Sequence, residues 1–148
     1  MSFRAVVDAE PIRGYRLLER LGSGGYGEVW KVSAPGGLYK AIKFIYGQLD
    51  DSRAGQEVKA LNRIRGVRHP FLLAIERVEI IDGQLAILTE LADETLSARF
   101  DHFRKEGLPG IPRDQLLDYM RDVADALDYM SDKYSLQHLD VKPGNLLL

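Results

Sequence analysis

The chain has 148 residues, with 20 Lys and Arg against 22 Asp and Glu, a net charge of −2 and no cysteine. That length is enough for one domain with a real core, and the near balance of charge excludes a general attraction to nucleic acid or anionic membrane. The lack of cysteine excludes a disulfide framework, thiol catalysis and Cys-ligated zinc, and fits a cytoplasmic setting; no apolar run approaches the roughly 18 residues of a membrane span, and the start MSFRAVVDAEPIRGY lacks the apolar core of a signal peptide.

Residues 1–14 read as a leader, loose until Pro11, and Tyr15 to Leu21 as a first strand. Gly22, Gly24 and Gly27 then form a G-x-G-x-x-G run, with Gly25 as a fourth glycine. By itself this run fits either an ordinary glycine-rich hairpin or a loop that cradles phosphates. A dinucleotide-binding fold would open a helix here, with an acidic residue roughly 20 positions on. Instead Glu28-Val29-Trp30-Lys31-Val32 alternates in a β-branched and aromatic pattern, so Glu28 to Ala34 reads as a strand. No Gly-Lys-Ser/Thr follows, which excludes a Walker A loop. Pro35-Gly36-Gly37 signals a turn and Leu38 to Tyr46 another strand. The short connections imply three antiparallel strands in meander order.

Gly47 to Ser52 is polar and turn-like. Arg53 to Arg65 reads as a helix, with Val58, Leu61 and Ile64 at three-residue steps, Ala54 and Glu57 on the same side, and Gly66 as its stop. After a loop at His69-Pro70, Phe71 to Ile80 and Gln84 to Leu91 read as strands joined by the Asp82-Gly83 hairpin signal. Ala92 to Glu94 breaks the pattern. Leu96 to Lys105 is expected to be a short helix, Gly107 to Pro112 a loop, and Arg113 to Tyr134 a long amphipathic helix. Its stripe is Leu116, Met120, Val123, Leu127, Met130 and Tyr134, widened by Leu117, Ala124 and Ala126. Gln137 to Asn145 is irregular and polar, and Leu146 to Leu148 reads as a strand beginning. The shift from strand-rich to helix-rich near residue 92 suggests a small β-lobe followed by the start of a helical lobe, and a cleft between lobes is a common place for a ligand.

Four features carry chemistry. The glycine hairpin offers N–H groups to phosphate oxygens. Lys43 lies among Ala41, Ile42 and Phe44, and needs a partner if it points inward. Glu57 sits mid-helix beside apolar positions. Singly, these last two read as a solvated strand lysine and a surface glutamate. The fourth feature is His138-Leu139-Asp140-Val141-Lys142-Pro143-Gly144-Asn145, just after the long helix. Trp30, His69 and His102 suggest no role beyond packing or solvated surface, and His138 reads as a prop for the loop.

Taken together, in this order and spacing, the four features resemble the eukaryotic-like Ser/Thr protein kinase family, of the kind also found in bacteria, from Tyr15 to Leu148. The resemblance implies an α+β fold: residues 15–91 as a kinase N-lobe with a five-stranded antiparallel sheet and one helix, 92–94 as the hinge, and 95–148 as a partial C-lobe reaching the catalytic loop. It implies ATP and Mg²⁺ as cofactors. Leu21, Gly22, Gly24 and Gly27 would cover the nucleotide, with Tyr26 at the loop tip. Val29 and Ala41 match the apolar ceiling over adenine and Leu147 its floor, although plain hydrophobic core explains all three equally well. Thr89 matches the gatekeeper position, and Glu90 and Ala92 the hinge backbone. Lys43 would grip the α- and β-phosphates, oriented by Glu57. Asp140 would accept the proton of the attacking hydroxyl, Lys142 would neutralise charge on the phosphoryl group, and Asn145 would hold Mg²⁺. Lys142 also favours a Ser/Thr type over a tyrosine kinase.

The pattern departs from the family in two places. Leu139 stands where an Arg normally meets an activation-loop phosphate, so that form of control is not expected. The D-F-G motif, whose Asp binds Mg²⁺, is absent from residues 1–148. The protein substrate is not legible. Two functions follow: a Ser/Thr kinase domain, or a pseudokinase-like nucleotide-binding interaction or dimerisation module with little transferase activity. The apolar stripe of residues 113–134 is expected to bury itself against a second copy, making a homo-oligomer, or against another partner.

Overall fold

The computed structural model describes residues 4–25, 27–47, 58–59 and 61–148. The chain divides into two compact units, Met1–Val67 with Ala74–Leu91, and Arg68–Leu73 with Ala92–Leu148.

The first unit is built on one antiparallel sheet of β1 (Arg16–Gly24), β2 (Gly27–Ala34), β3 (Leu38–Ile45), β4 (Ile75–Ile81) and β5 (Gln84–Glu90), in the order β1-β2-β3-β5-β4. The turn signals act as their chemistry demands. Gly36 and Gly37 take φ of 80° and 75° between β2 and β3. Asp82 and Gly83 take 49° and 80° between β4 and β5, the positive pair that matches the twist of a tight hairpin. The first three strands form the expected meander, and β5 returns between β3 and β4. Residues 58–59 and 61–65 are helical (α1); the rest of the helix expected from Arg53 lies outside the described residues.

Period-two alternation divides the sheet into two faces. One carries Leu17, Trp30, Val32, Ile42, Phe44, Ala86 and Leu88, all buried. Trp30 stands opposite Ile42, Ile42 opposite Leu88, and Phe44 opposite Ala86. Each of the larger aliphatic and phenyl side chains among them contributes about 1.5–3 kcal/mol of burial. The other face carries Val29 opposite Lys43, Lys43 opposite Ile87, and Ala41 opposite Thr89.

Residues 4–14 of the leader are not loose as expected. Ile12 is buried, and Ala5, Ala9 and Tyr15 pack against the core. Asp8 N–H donates to the Leu17 carbonyl at 2.9 Å, and Leu17 N–H to the Ala9 carbonyl at 2.8 Å. The cause is the buried sheet face itself: Leu17, Trp30 and Val32 need a cover, and the leader's small apolar residues supply one.

A second correction concerns the strand expected at Phe71 to Ile80, which begins only at Ile75. Residues 68–73 belong to the second unit. There the Phe71 N–H reaches His69 Nδ1 at 3.3 Å, His69 Nε2 lies 3.3 Å from Asp125, and the His69 ring packs 4.8 Å from Tyr129.

The second unit contains α2 (Leu96–Lys105) and α3 (Arg113–Tyr134), both with the predicted bounds. Thr95 caps α2, its hydroxyl accepting from Ala98 N–H at 3.1 Å, a contact worth about 1 kcal/mol. Helix α3 closes through Ser135 in the left-handed region, with Ser135 N–H on the Ser131 carbonyl at 3.0 Å and Leu136 N–H on the Met130 carbonyl at 3.1 Å. Leu146 to Leu148 runs beside the residues preceding α2: Asp93 N–H donates to the Leu148 carbonyl at 2.8 Å, Leu148 N–H to Glu94 at 2.9 Å, and Leu96 N–H to Leu146 at 2.8 Å. Among the described residues no helix is long and apolar enough to cross a membrane.

Candidate functional site

The sheet places the glycine run at the tip of the β1–β2 hairpin, where Gly24 opposes Gly27. The glycines are not equivalent. A Cβ on Gly27 would sit 2.1 Å from the Phe44 carbonyl oxygen, so the β2–β3 pairing itself demands glycine there. At Gly22, Gly24 and Gly25 a Cβ would meet nothing within 4 Å, and none of the three has positive φ. The fold does not require these three to be glycine, and their backbone stays open to close approach. Leu21, at the same tip, is exposed. Tyr26 lies outside the described residues.

On the sheet face away from the leader, Ala41 is buried, Val29 and Thr89 are half-buried, and Lys43 is exposed. Among the described residues no carboxylate pairs with Lys43, and its expected partner Glu57 lies outside them. Thr89 donates its hydroxyl to the Glu90 carbonyl at 2.9 Å. The Glu90 carboxylate accepts from Ala74 N–H at 3.0 Å, so the side chain is held within its own unit while the carbonyl keeps a second lone pair.

The second unit holds the loop from His138 to Asn145. Its centre is Asp140. Asn145 Nδ2 donates to both the Asp140 carbonyl and carboxylate, each at 2.9 Å. Lys142 Nζ stands 3.0 Å from the same carboxylate oxygen. Asp140 N–H points at His138 Nδ1 at 3.3 Å, so His138 props the loop. The turn Pro143–Asn145 returns the chain, with Asn145 N–H on the Lys142 carbonyl at 2.8 Å. Leu139 is 87% exposed, at φ 63°. Ala92 is half-buried. Leu147, bridged to Thr95, is exposed.

The hydrogen bond from Lys142, then that from Asn145, hold the Asp140 carboxyl below its ordinary value, against a desolvation that raises it. A carboxyl depressed in the folded protein stays ionised through neutral pH and gives up its bonds only on acidification through the lowered value. Lys142→Ala is expected to move the Asp140 titration upward, toward an ordinary aspartate, as followed by carboxyl ¹³C shifts. An unmoved titration would remove Lys142 as the main cause.

Among the described residues no three His, Cys, Asp or Glu side chains gather as metal ligands. Mg²⁺ that arrives with phosphates needs only one or two protein oxygens. Asn145 fits that need, because its amide N–H groups are committed to Asp140 and its Oδ1 remains an acceptor.

The protein kinase domain family model matches residues 15–148. This chain belongs to the protein kinase domain family. Among its kinase relatives, Ser/Thr-protein kinase PknF of Mycobacterium tuberculosis is 30% identical over 97% of the chain, and the chain spans 30% of PknF. Human Ser/Thr-protein kinase ULK3 is 28% identical over 91% of the chain, which spans 28% of that protein. The crystal structure of the Mycobacterium tuberculosis PknI kinase domain superposes with a TM-score of 0.74 at 27% identity, covering 98% of this chain and 59% of PknI's. The sheet, α1 and the helices that follow are therefore the kinase N-lobe and the first C-lobe helices, as the resemblance implied.

Sequence reading missed two contacts that shape the kinase fold here. His69 looked like packing or surface, and its tie to Asp125 had no motif to reveal it. The Glu90 to Ala74 bond joins residues 16 positions apart and has no local signature.

Proposed function

We propose that the chain is the ATP-binding part of a Ser/Thr protein kinase and carries the catalytic loop for phosphoryl transfer to a protein hydroxyl. The observation that carries this reading is the Asp140 carboxylate held by both Asn145 and Lys142. In this reading Gly22, Gly24 and Gly27 lie over the phosphates with Leu21, and Val29, Ala41 and Leu147 sandwich adenine beside Thr89. The backbone of Glu90 and Ala92 hydrogen-bonds the base, and Lys43, steadied by Glu57, holds the α- and β-phosphates. Asp140 orients the attacking hydroxyl. As the new O–P bond forms, the bond from the γ-phosphorus to the β-phosphate oxygen breaks. The hydroxyl proton passes to Asp140 and ADP departs. A carboxyl kept below its ordinary pKa is a weak base, so the proton moves late, as a loose transition state allows. Mg²⁺, with Asn145 as one ligand, supplies charge neutralisation on the phosphate oxygens.

Melting with and without Mg-ATP tests the binding half. The expected result is a rise in Tm of several degrees that Lys43→Ala removes, and no rise in the unsubstituted chain would sink the reading. A rise without transfer to a protein bait would instead assign the chain to the interaction-module class.

The same reading gives α3 a partner surface. Only Ala126 of α3 is buried, while Leu117 and Met120 stay exposed. We expect a second copy of the chain on this stripe, so light scattering should show dimers that Leu117→Glu disperses; a monomer at high concentration would rule the dimer out.

A further inference from the structure

Two side-chain bonds converge on the last residue of β5, and no motif in the sequence accounts for either. The Thr89 hydroxyl donates to the Glu90 carbonyl at 2.9 Å, and the Glu90 carboxylate accepts from Ala74 N–H at 3.0 Å. The ladder between β4 and β5 ends at Ile75 opposite Thr89, so Ala74 and Glu90 stand one step beyond it. There the carboxylate, and not the backbone carbonyl, takes the Ala74 N–H.

The cation nearest by register goes elsewhere. Lys40 lies opposite Glu90 across β3 and β5, but its ammonium is bonded to Glu76. Among the described residues the Ala74 N–H is the one hydrogen-bond partner of the Glu90 carboxylate. A bond with an ionised acceptor is stronger than one between neutral groups. It ties the end of β5 to the entry of β4, while the Thr89 hydroxyl holds the Glu90 carbonyl from its other side. The carbonyl keeps one lone pair for a further donor.

We propose that the Glu90 carboxylate is a positioning residue for base selection. By anchoring Glu90 to Ala74 it aims the Glu90 carbonyl at the 6-amino group of adenine. This rests on the ATP-binding reading above, in which that backbone hydrogen-bonds the base, and it adds the side chain that directs it. The carbonyl is only an acceptor, so it favours a purine with an N–H at position 6. The Thr89 hydroxyl proton is committed to the same carbonyl and offers no donor to a 6-oxo purine.

Purine riboside triphosphate, which is ATP without the 6-amino group, isolates that bond. Calorimetric titration of the whole chain with the Mg²⁺ complexes of ATP and of this analogue gives a ratio of Kd values. A ratio, unlike a single Kd, is insensitive to the fraction of chain that is folded. In the unsubstituted chain ATP is expected to bind about 3–10-fold tighter, the worth of one neutral hydrogen bond. Glu90→Ala is expected to bring the two within about twofold of each other, chiefly by weakening ATP. Glu90→Gln should restore the preference, because its amide oxygen can still accept from Ala74 N–H. A purely structural role would weaken both nucleotides alike. No preference in the unsubstituted chain, an unchanged ratio in Glu90→Ala, or a ratio lost equally in Glu90→Gln would each overturn the proposal while leaving ATP binding in place. If neither nucleotide binds the unsubstituted chain, the ATP-binding reading itself falls and the proposal with it.

Discussion

Replacing Asp140 with Asn is expected to lower phosphoryl transfer by about 10²–10⁴-fold in the protein that carries this chain, while leaving the Mg-ATP shift in Tm intact. The amide cannot accept the hydroxyl proton, but it is nearly isosteric. Its oxygen can still accept from Asn145 and Lys142, which now hold the carboxylate at 2.9 and 3.0 Å. Binding and chemistry therefore separate. Radiolabelled transfer to a protein bait reads the chemistry, and melting reads the binding. Undiminished transfer would mean that Asp140 neither orients nor deprotonates the acceptor, and the catalytic reading of the loop would fall. Loss of both readouts together would point instead to a collapsed loop, which the circular dichroism of the variant would reveal.

The second large effect concerns the fold. Gly27→Ala is expected to cost about 1–3 kcal/mol or more, while Gly24→Ala should change stability by less than about 0.5 kcal/mol. The two glycines belong to one motif, yet their surroundings differ. A methyl at residue 27 runs into the Phe44 carbonyl oxygen at 2.1 Å, and one at residue 24 meets open space. Relieving the first clash means parting β2 from β3 at Phe44, which is fully buried. Gly24→Ala should instead weaken Mg-ATP, because it blocks backbone approach. Urea melts of both variants, with nucleotide titrations, make the test. Equal stability losses would show that the hairpin glycines serve one structural purpose.

Much of the fold was legible because its signals are local. Alternation in Glu28 to Val32, glycine at positive φ in Pro35-Gly36-Gly37, and Asp82-Gly83 each fix a strand or turn without help from elsewhere. The α3 stripe repeats often enough to fix both ends of its helix. The candidate site was legible for another reason, since Asp140, Lys142 and Asn145 lie within six residues and their contacts are set by one turn. Phe71 to Ala74 failed because a short apolar run reads alike as strand or as buried loop. What decides it is His69, packed against Tyr129 and Asp125, far away in sequence. The leader failed for a similar reason. Ile12 stands alone between Pro11 and Arg13, and a single apolar residue has no period to read. The pairing of Lys43 with Glu57 concerns a residue outside the described part of the chain.

The docked leader has one more consequence. Strand β1 is an edge of the sheet, and an edge strand offers unpaired N–H and C=O groups to any other chain. At Leu17 both of those groups are already taken, by Ala9 and Asp8. The leader thus guards the sheet against strand-to-strand self-association. A chain shortened to begin at Tyr15 would lose that guard and uncover the apolar face at Leu17 and Trp30, and it is expected to self-associate through β1 where the longer chain does not.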